Sequence, residues 1–155
     1  MAITKIIADS ITSGAIANTP NFLAYRSSSA QSVANNTTTT ILFNAEKFDS
    51  NSAYNASNGI FTVPSDGVYC FGLNLYAGDD APARYVGKLV KNSATLIYAD
   101  LDVSNEPATL FVSTITTCSA NDTIHATFYH NRGSAMNIDP SSTAEINYFF
   151  GYKLL

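Results

Sequence analysis

The 155-residue chain has no tryptophan, two cysteines and two histidines, and only 13% of its residues are charged, against about 25% in a typical soluble domain. Each shortage excludes something. Two cysteines, Cys70 and Cys118, do not make a disulfide scaffold. With no histidine pair near them they also lack the spacing of a zinc site. Each lies in an alternating apolar run and reads as a small buried hydrophobe. The eight basic residues are scattered and the net charge is −4. Nucleic acid is therefore not an expected partner, because phosphate binding needs clustered Lys or Arg. No apolar run approaches the roughly 18 residues that span a bilayer, so membrane insertion is not expected. The start, MAITKIIADSITSG, has no long apolar stretch behind a basic segment and does not read as a secretory signal.

Catalytic signatures are missing too. His125 and His130 lie five apart on one expected strand, so they point to opposite faces and cannot share a metal or a triad. No Gly-x-Ser-x-Gly, glycine-rich phosphate loop or His-Glu-x-x-His occurs. No enzyme activity is expected. Asp79, Asp80, Asp122 and Asp139 sit in turn-like segments and offer oxygens to calcium. Solvated turn aspartates are the simpler reading, and no cofactor is expected.

What the chain has is a small-polar, β-branched and aromatic composition laid out in short runs. Its length suits one domain. From Asn21 onward strand signals recur every 8 to 15 residues, the pattern of a sandwich or barrel. Strands are expected over 22–27, 39–43, 60–63, 68–76, 85–91, 95–101, 109–118, 123–130 and 144–155. Turn chemistry separates them, at Asn58-Gly59, Ser65-Asp66-Gly67, Lys91-Asn92-Ser93 and Ala120-Asn121-Asp122 among others. In AEINYFFGYKLL both alternating faces are apolar: Ile146, Tyr148, Phe150, Tyr152 and Leu154 on one, Phe149 and Leu155 on the other. A strand apolar on both faces lies between two layers. The second layer is either a neighbouring subunit or a covering loop. Tyr76, Tyr85, Tyr98 and Tyr129 read as exposed tyrosines near strand ends, without marking a sugar site.

Residues 1–20 differ from the rest. Ile3, Ile6, Ile7, Ile11 and Ile16 alternate with small polar residues, and Pro20 closes the segment. It is too short to fold alone. It reads as an arm anchored on another chain through those isoleucines, or as a disordered tail.

The stretch GIFTVPSDGVYCF, with FLAYRSS and ILFNAEKFDSNSAY before it, resembles the globular head of complement component 1, subunit q. That family shares the tumour necrosis factor jelly roll. Its Phe, Pro and Gly-x-Tyr-x-Phe are matched by Phe61, Pro64, Gly67, Tyr69 and Phe71. Asn121-Asp122 followed by Ile124 stands where the family has a Gly-Asp turn. The terminal Phe-x-Gly-aromatic-x-Leu is matched by Phe149, Gly151, Tyr152 and Leu154, and the resemblance makes Phe61, Gly67, Tyr69, Phe71, Phe149, Gly151 and Tyr152 the core motif. The resemblance covers residues 21–155. It implies an all-β, ten-strand antiparallel jelly-roll sandwich with a short N-terminal arm, assembled as a trimer and without catalysis. It implies that Tyr69 and Phe71 enter the core, and that Cys70, Gly72, Asn74 and Tyr76 face the trimer axis. It also implies that the strands carrying Cys70 and Cys118 are antiparallel neighbours, bringing two reduced thiols close together.

No collagen repeat precedes the head. The arm IADSITSGAIANTP instead resembles leaders of tailed-bacteriophage virion proteins. That resemblance implies a homotrimeric virion surface protein, made in the host cytoplasm and docked by its arm on a capsid or tail protein. Its head would stabilise the particle or attach to a host receptor or glycan. The alternative is a secreted recognition module of the complement 1q type that binds a protein or carbohydrate.

Overall fold

The computed structural model describes residues 20–78, 82–104, 106–141 and 145–155. These hold thirteen strand segments and no helix: β1 (Asn21–Tyr25), β2 (Gln31–Val33), β3 (Thr39–Thr40), β4 (Ala45–Asp49), β5 (Tyr54–Asn55), β6 (Ile60–Thr62), β7 (Gly67–Ala77), β8 (Ala83–Lys91), β9 (Ala94–Val103), β10 (Ala108–Cys118), β11 (Thr123–His130), β12 (Met136–Ile138) and β13 (Tyr148–Lys153). Ten of them form two five-strand layers, β10-β7-β13-β1-β4 and β5-β6-β11-β8-β9. β3 lies on β11, and β2 pairs with β12 at one end. Every pairing is antiparallel. This is the ten-strand antiparallel jelly-roll sandwich.

Short polar turns drive the reversals. Asn58-Gly59 closes the β5–β6 hairpin: the Gly59 N–H donates to the Asn55 carbonyl (2.8 Å) and the Ile60 N–H to Asn58 Oδ1 (3.0 Å). Gly59 has φ +75°, and a Cβ there would sit 2.8 Å from the Ile41 carbonyl oxygen, so a side chain is excluded twice over. Asn92 and Ser93 both have positive φ in the two-residue loop between β8 and β9, as a type I′ hairpin requires. Asn121, at φ +71°, takes the left-handed position, which asparagine tolerates better than most residues. Beside it, Asp122 pairs with Lys91 (2.9 Å) and accepts from Asn92 Nδ2 (2.6 Å) and the Ser119 N–H (2.9 Å). The Lys91 ammonium and these donors hold its carboxyl down at about 2.

Several elements differ from the expected strands. β13 is shorter than 144–155, and residues 142–144 lie outside the described residues. Only Thr39 and Thr40 of the 39–43 run form a strand: the Ile41 N–H still donates to the Ala126 carbonyl of β11 (2.9 Å), but the Leu42 and Phe43 N–H groups turn to the Gln31 and Tyr54 side chains. β2, β4, β5 and β12 were not anticipated. They are short, and β4, AEKFD, carries charge without clean alternation.

The core between the layers is aromatic. Phe22 stacks on Phe61 (ring centroids 4.3 Å) and meets the edge of Phe149 (4.8 Å). Phe61 packs edge-on to Phe71, and Tyr69 stacks on Phe71, both at 5.8 Å. The hydroxyl of the buried Tyr69 is satisfied by donating to the Ser65 carbonyl (2.8 Å). In the β7–β13 register, Phe71 lies opposite Gly151 and Gly72 opposite Phe150. Each ring lies over the partner glycine, and a Cβ on either glycine would overlap it. The Phe71 ring is fully buried, whereas Phe150 is half-buried on the outer face.

Gly151→Ala should therefore destabilise the head, since neither Phe71 nor Phe22 has room to retreat. The expected cost is about 1–3 kcal/mol, with about 2–4 °C of melting temperature lost per kcal/mol. Thermal unfolding checks it; an unchanged melting temperature would show that the core yields at this contact.

Candidate functional site

Alternation decides which side chains leave the core. On the β10-β7-β13-β1-β4 layer, three cross-strand rows point away from the sandwich. One runs Phe48, Leu23, Phe150, Gly72, Ser113. The next runs Ala45, Tyr25, Tyr148, Asn74, Phe111, and the third runs Asn21, Tyr152, Cys70, Ile115. Tyr76, opposite Thr109, continues the face. Tyr148, Phe150 and Tyr152 form a ladder down its middle, with ring centroids 6.2 and 6.3 Å apart. None of these positions carries a charged residue. Phe111 is 54% exposed and Ile115 is 64% exposed. A contiguous aromatic and aliphatic surface of this kind marks an interaction site.

Polar groups stiffen the face from behind. Asn74 Nδ2 donates to the Ile146 carbonyl (2.7 Å). Asn147 is buried; its Oδ1 accepts from the Tyr76 N–H (2.7 Å) and its Nδ2 donates to the Asp139 carbonyl (2.8 Å). Its own carbonyl accepts the Arg26 N–H (2.9 Å). Arg26 is also buried: Nη1 donates to the Leu42 carbonyl (2.5 Å), and Nη2 donates to that of Ser29. Sequence reading missed both residues. An amide and a guanidinium at strand ends look like ordinary surface residues until the loops that bury them are in place.

Cys70, Asn74 and Tyr76 all lie on the outer face. Cys70 is nearly covered and sits 3.7 Å from Ser113 Oγ. Phe61, Tyr69, Phe71 and Phe149 are fully buried. Gly67 lies where a Cβ would overlap the Leu155 carbonyl and Lys153. Tyr152 is a correction. Grouped with the core motif by sequence, it is 41% exposed on the outer face, because it follows Gly151 and so takes the opposite parity. Tyr85 is another: it points into the core and is fully buried. Cys70 and Cys118 do lie on neighbouring strands, but Cys118 pairs with Gly67, three residues from Cys70. The odd offset puts the thiols on opposite faces, Cys118 inward and Cys70 outward, so no disulfide can join them. Burial raises the Cys118 pKa and keeps it a thiol.

His130 is buried, with Nε2 3.0 Å from the Val33 carbonyl, while His125 lies on the other side of β11. Asp139 lies near Arg132 and Asn137 at one end of the head. No group of three or more metal-ligating side chains assembles among the described residues. Asp79, Asp80 and the five isoleucines Ile3, Ile6, Ile7, Ile11 and Ile16 lie outside the described residues. Among the described residues no helix is long and apolar enough to cross a membrane.

The sequence profile of the C1q domain matches residues 21–153. No curated protein matches the chain in sequence. Solved structures share the fold at low identity. The globular domain of zebrafish complement 1qA is 17% identical with a TM-score of 0.61, over 89% of this chain and 98% of that one. Eiger TNF from S. frugiperda is 15% identical with a TM-score of 0.64, over 88% and 91%. Murine APRIL, in a crystal structure at pH 5.0, is 11% identical with a TM-score of 0.67, over 88% and 100%.

Proposed function

The chain belongs to the C1q-domain family, and on that footing we propose that it is a non-enzymatic recognition head that works as a homotrimer. The observation that carries this is the uncharged aromatic face of the β10-β7-β13-β1-β4 layer. Trimeric assembly is characteristic of the family. A protomer that exposes Phe111, Ile115 and the Tyr148–Phe150–Tyr152 ladder has a reason to cover them with its neighbours. In that reading Cys70, Asn74 and Tyr76 line the contact, with Asn74 and Tyr76 held in place by Ile146 and Asn147.

The finer reading places the trimer on a bacteriophage virion, docked on a capsid or tail protein through residues 1–20. It rests on the isoleucine-rich composition of the arm and its resemblance to virion leaders. The head would then face a host surface. The secreted recognition module remains the competing reading and rests on the family itself. The head is proposed to need no metal.

Three outcomes are expected. Light scattering at micromolar concentration should give three times the 16.6 kDa protomer mass, and Ile115→Asp with Phe111→Asp should reduce it to one. A wild-type monomer would defeat the assembly. Removing residues 1–19 should leave a folded trimer with a nearly unchanged melting temperature but abolish incorporation into particles. Pro20 is kept because it is buried and its carbonyl accepts the Lys153 N–H (2.8 Å). Normal incorporation of the truncated chain would rule out the arm as anchor. Calcium followed by chelator should leave the melting temperature where it is; a rise with calcium would show a bound ion.

A further inference from the structure

The opposite layer carries a second feature, a groove of about 450 Å3 on the outer face of β11-β8-β9. Its size falls within the range of small-ligand sites. The register fixes its floor. One row is Tyr129, Val86, Asp100, and the next places Lys88 beside Tyr98. The two tyrosines therefore stand at diagonal corners, about 10 Å apart across the strands and about 7 Å along them. One ring-sized ligand fits between them, over Val86 and Lys88.

The side chains around that space are preorganised. Arg84 grips Asp100 through Nε and Nη2, at 2.8 and 2.5 Å. This bidentate pairing holds the Asp100 carboxyl below its usual range. It also leaves carboxylate lone pairs free to accept further hydrogen bonds. The Tyr129 hydroxyl bonds Asn36 Oδ1 (3.1 Å), which fixes that ring. Tyr98 is 59% exposed and offers an open ring face.

Charge narrows the ligand. Arg84 and Lys88 bring two positive charges to the lining and Asp100 one negative; Asp102, opposite Arg84 in the register, lies just outside the lining and acts on the same guanidinium. With Arg84 paired to Asp100 and a second carboxylate beside the groove, charge is nearly balanced and donors and acceptors interleave, so the site is not built to select an ion. It suits a neutral molecule carrying one apolar face and an edge of hydroxyls.

We propose that this groove binds a neutral hexopyranose unit of a glycan. The C–H face of the sugar would lie on Tyr98, and its hydroxyls would meet Lys88 Nζ and the Asp100 carboxylate. This deepens the recognition reading above and rests on it. The groove lies on the side of the sandwich away from the aromatic face, so assembly and binding can proceed together.

The test is saturation-transfer and chemical-shift titration of the full chain. The probes are methyl glucoside, galactoside and mannoside, their N-acetylated forms, and the corresponding methyl uronides as charged controls. At least one neutral glycoside should bind and shift the Tyr98 and Tyr129 ring signals, with its uronide binding no better. Tyr98→Ala should weaken binding about tenfold or more, as loss of roughly 1.4 kcal/mol would do, while Tyr98→Phe should stay within about threefold. Lys88→Met should weaken binding with the mass of the assembly unchanged. No binding by any neutral glycoside, tighter binding of a uronide, or equal binding by Tyr98→Ala overturns the proposal. Light scattering on the same samples separates the two readings: a trimer that binds no sugar removes only the groove, and a monomer removes the recognition head.

Discussion

The exchange of rings and glycines between two central strands is the contact on which the rest depends. Phe71-Gly72 on β7 faces Phe150-Gly151 on β13 in antiparallel register. Each phenylalanine occupies the space that its partner's missing side chain leaves. A slip of one residue would set ring against ring on one face and leave a gap on the other. The same four residues serve both sides of the layer. Phe71 joins Phe22, Phe61 and Phe149 in the core, and Phe150 joins Tyr148 and Tyr152 outside. The register that builds the core therefore also builds the outer aromatic surface.

The two outer faces of the sandwich divide polarity between them. The β7–β13 layer has aromatic rings and short polar side chains at its centre. The β8–β9–β11 layer has lysine, arginine, aspartate and two tyrosines. Ion pairs stay at the periphery: Lys47–Glu145, Arg84–Asp100 and Lys91–Asp122 each join separate segments at or near the surface. Such pairs contribute little individually. Stability comes from the aromatic core, and the charges set which face stays wet.

Much of this was legible in the sequence. Alternation in GVYCFGLNLYA and ATLFVSTITTC gives both faces of β7 and β10, because each strand is long and bounded by turn residues. The Asn-Gly, Asn-Ser and Asn-Asp turns were readable because left-handed backbone selects few residue types. Short edge pieces such as β2 and β12 were not, since three residues carry no period and their pairing depends on distant loops. Tyr152 was misassigned through a motif that groups residues by sequence proximity, when pleating separates them. Asn147 and Arg26 were invisible for a related reason: each satisfies carbonyls or amides contributed by segments far along the chain. The groove between Tyr98 and Tyr129 also needs β11 beside β8, and that adjacency, unlike the β8–β9 hairpin, is encoded by no local pattern.

The Asn58-Gly59 turn bears on chemical ageing. An asparagine followed by glycine is prone to close on itself: the next backbone nitrogen attacks the side-chain carbonyl, ammonia leaves, and hydrolysis yields an acid. Here both reacting groups are engaged elsewhere, the Gly59 nitrogen with the Asn55 carbonyl and Asn58 Oδ1 with the Ile60 N–H. The folded hairpin thus shields the bond that its own sequence makes fragile. The shelf life of the head at this position is set by how often the β5–β6 hairpin opens.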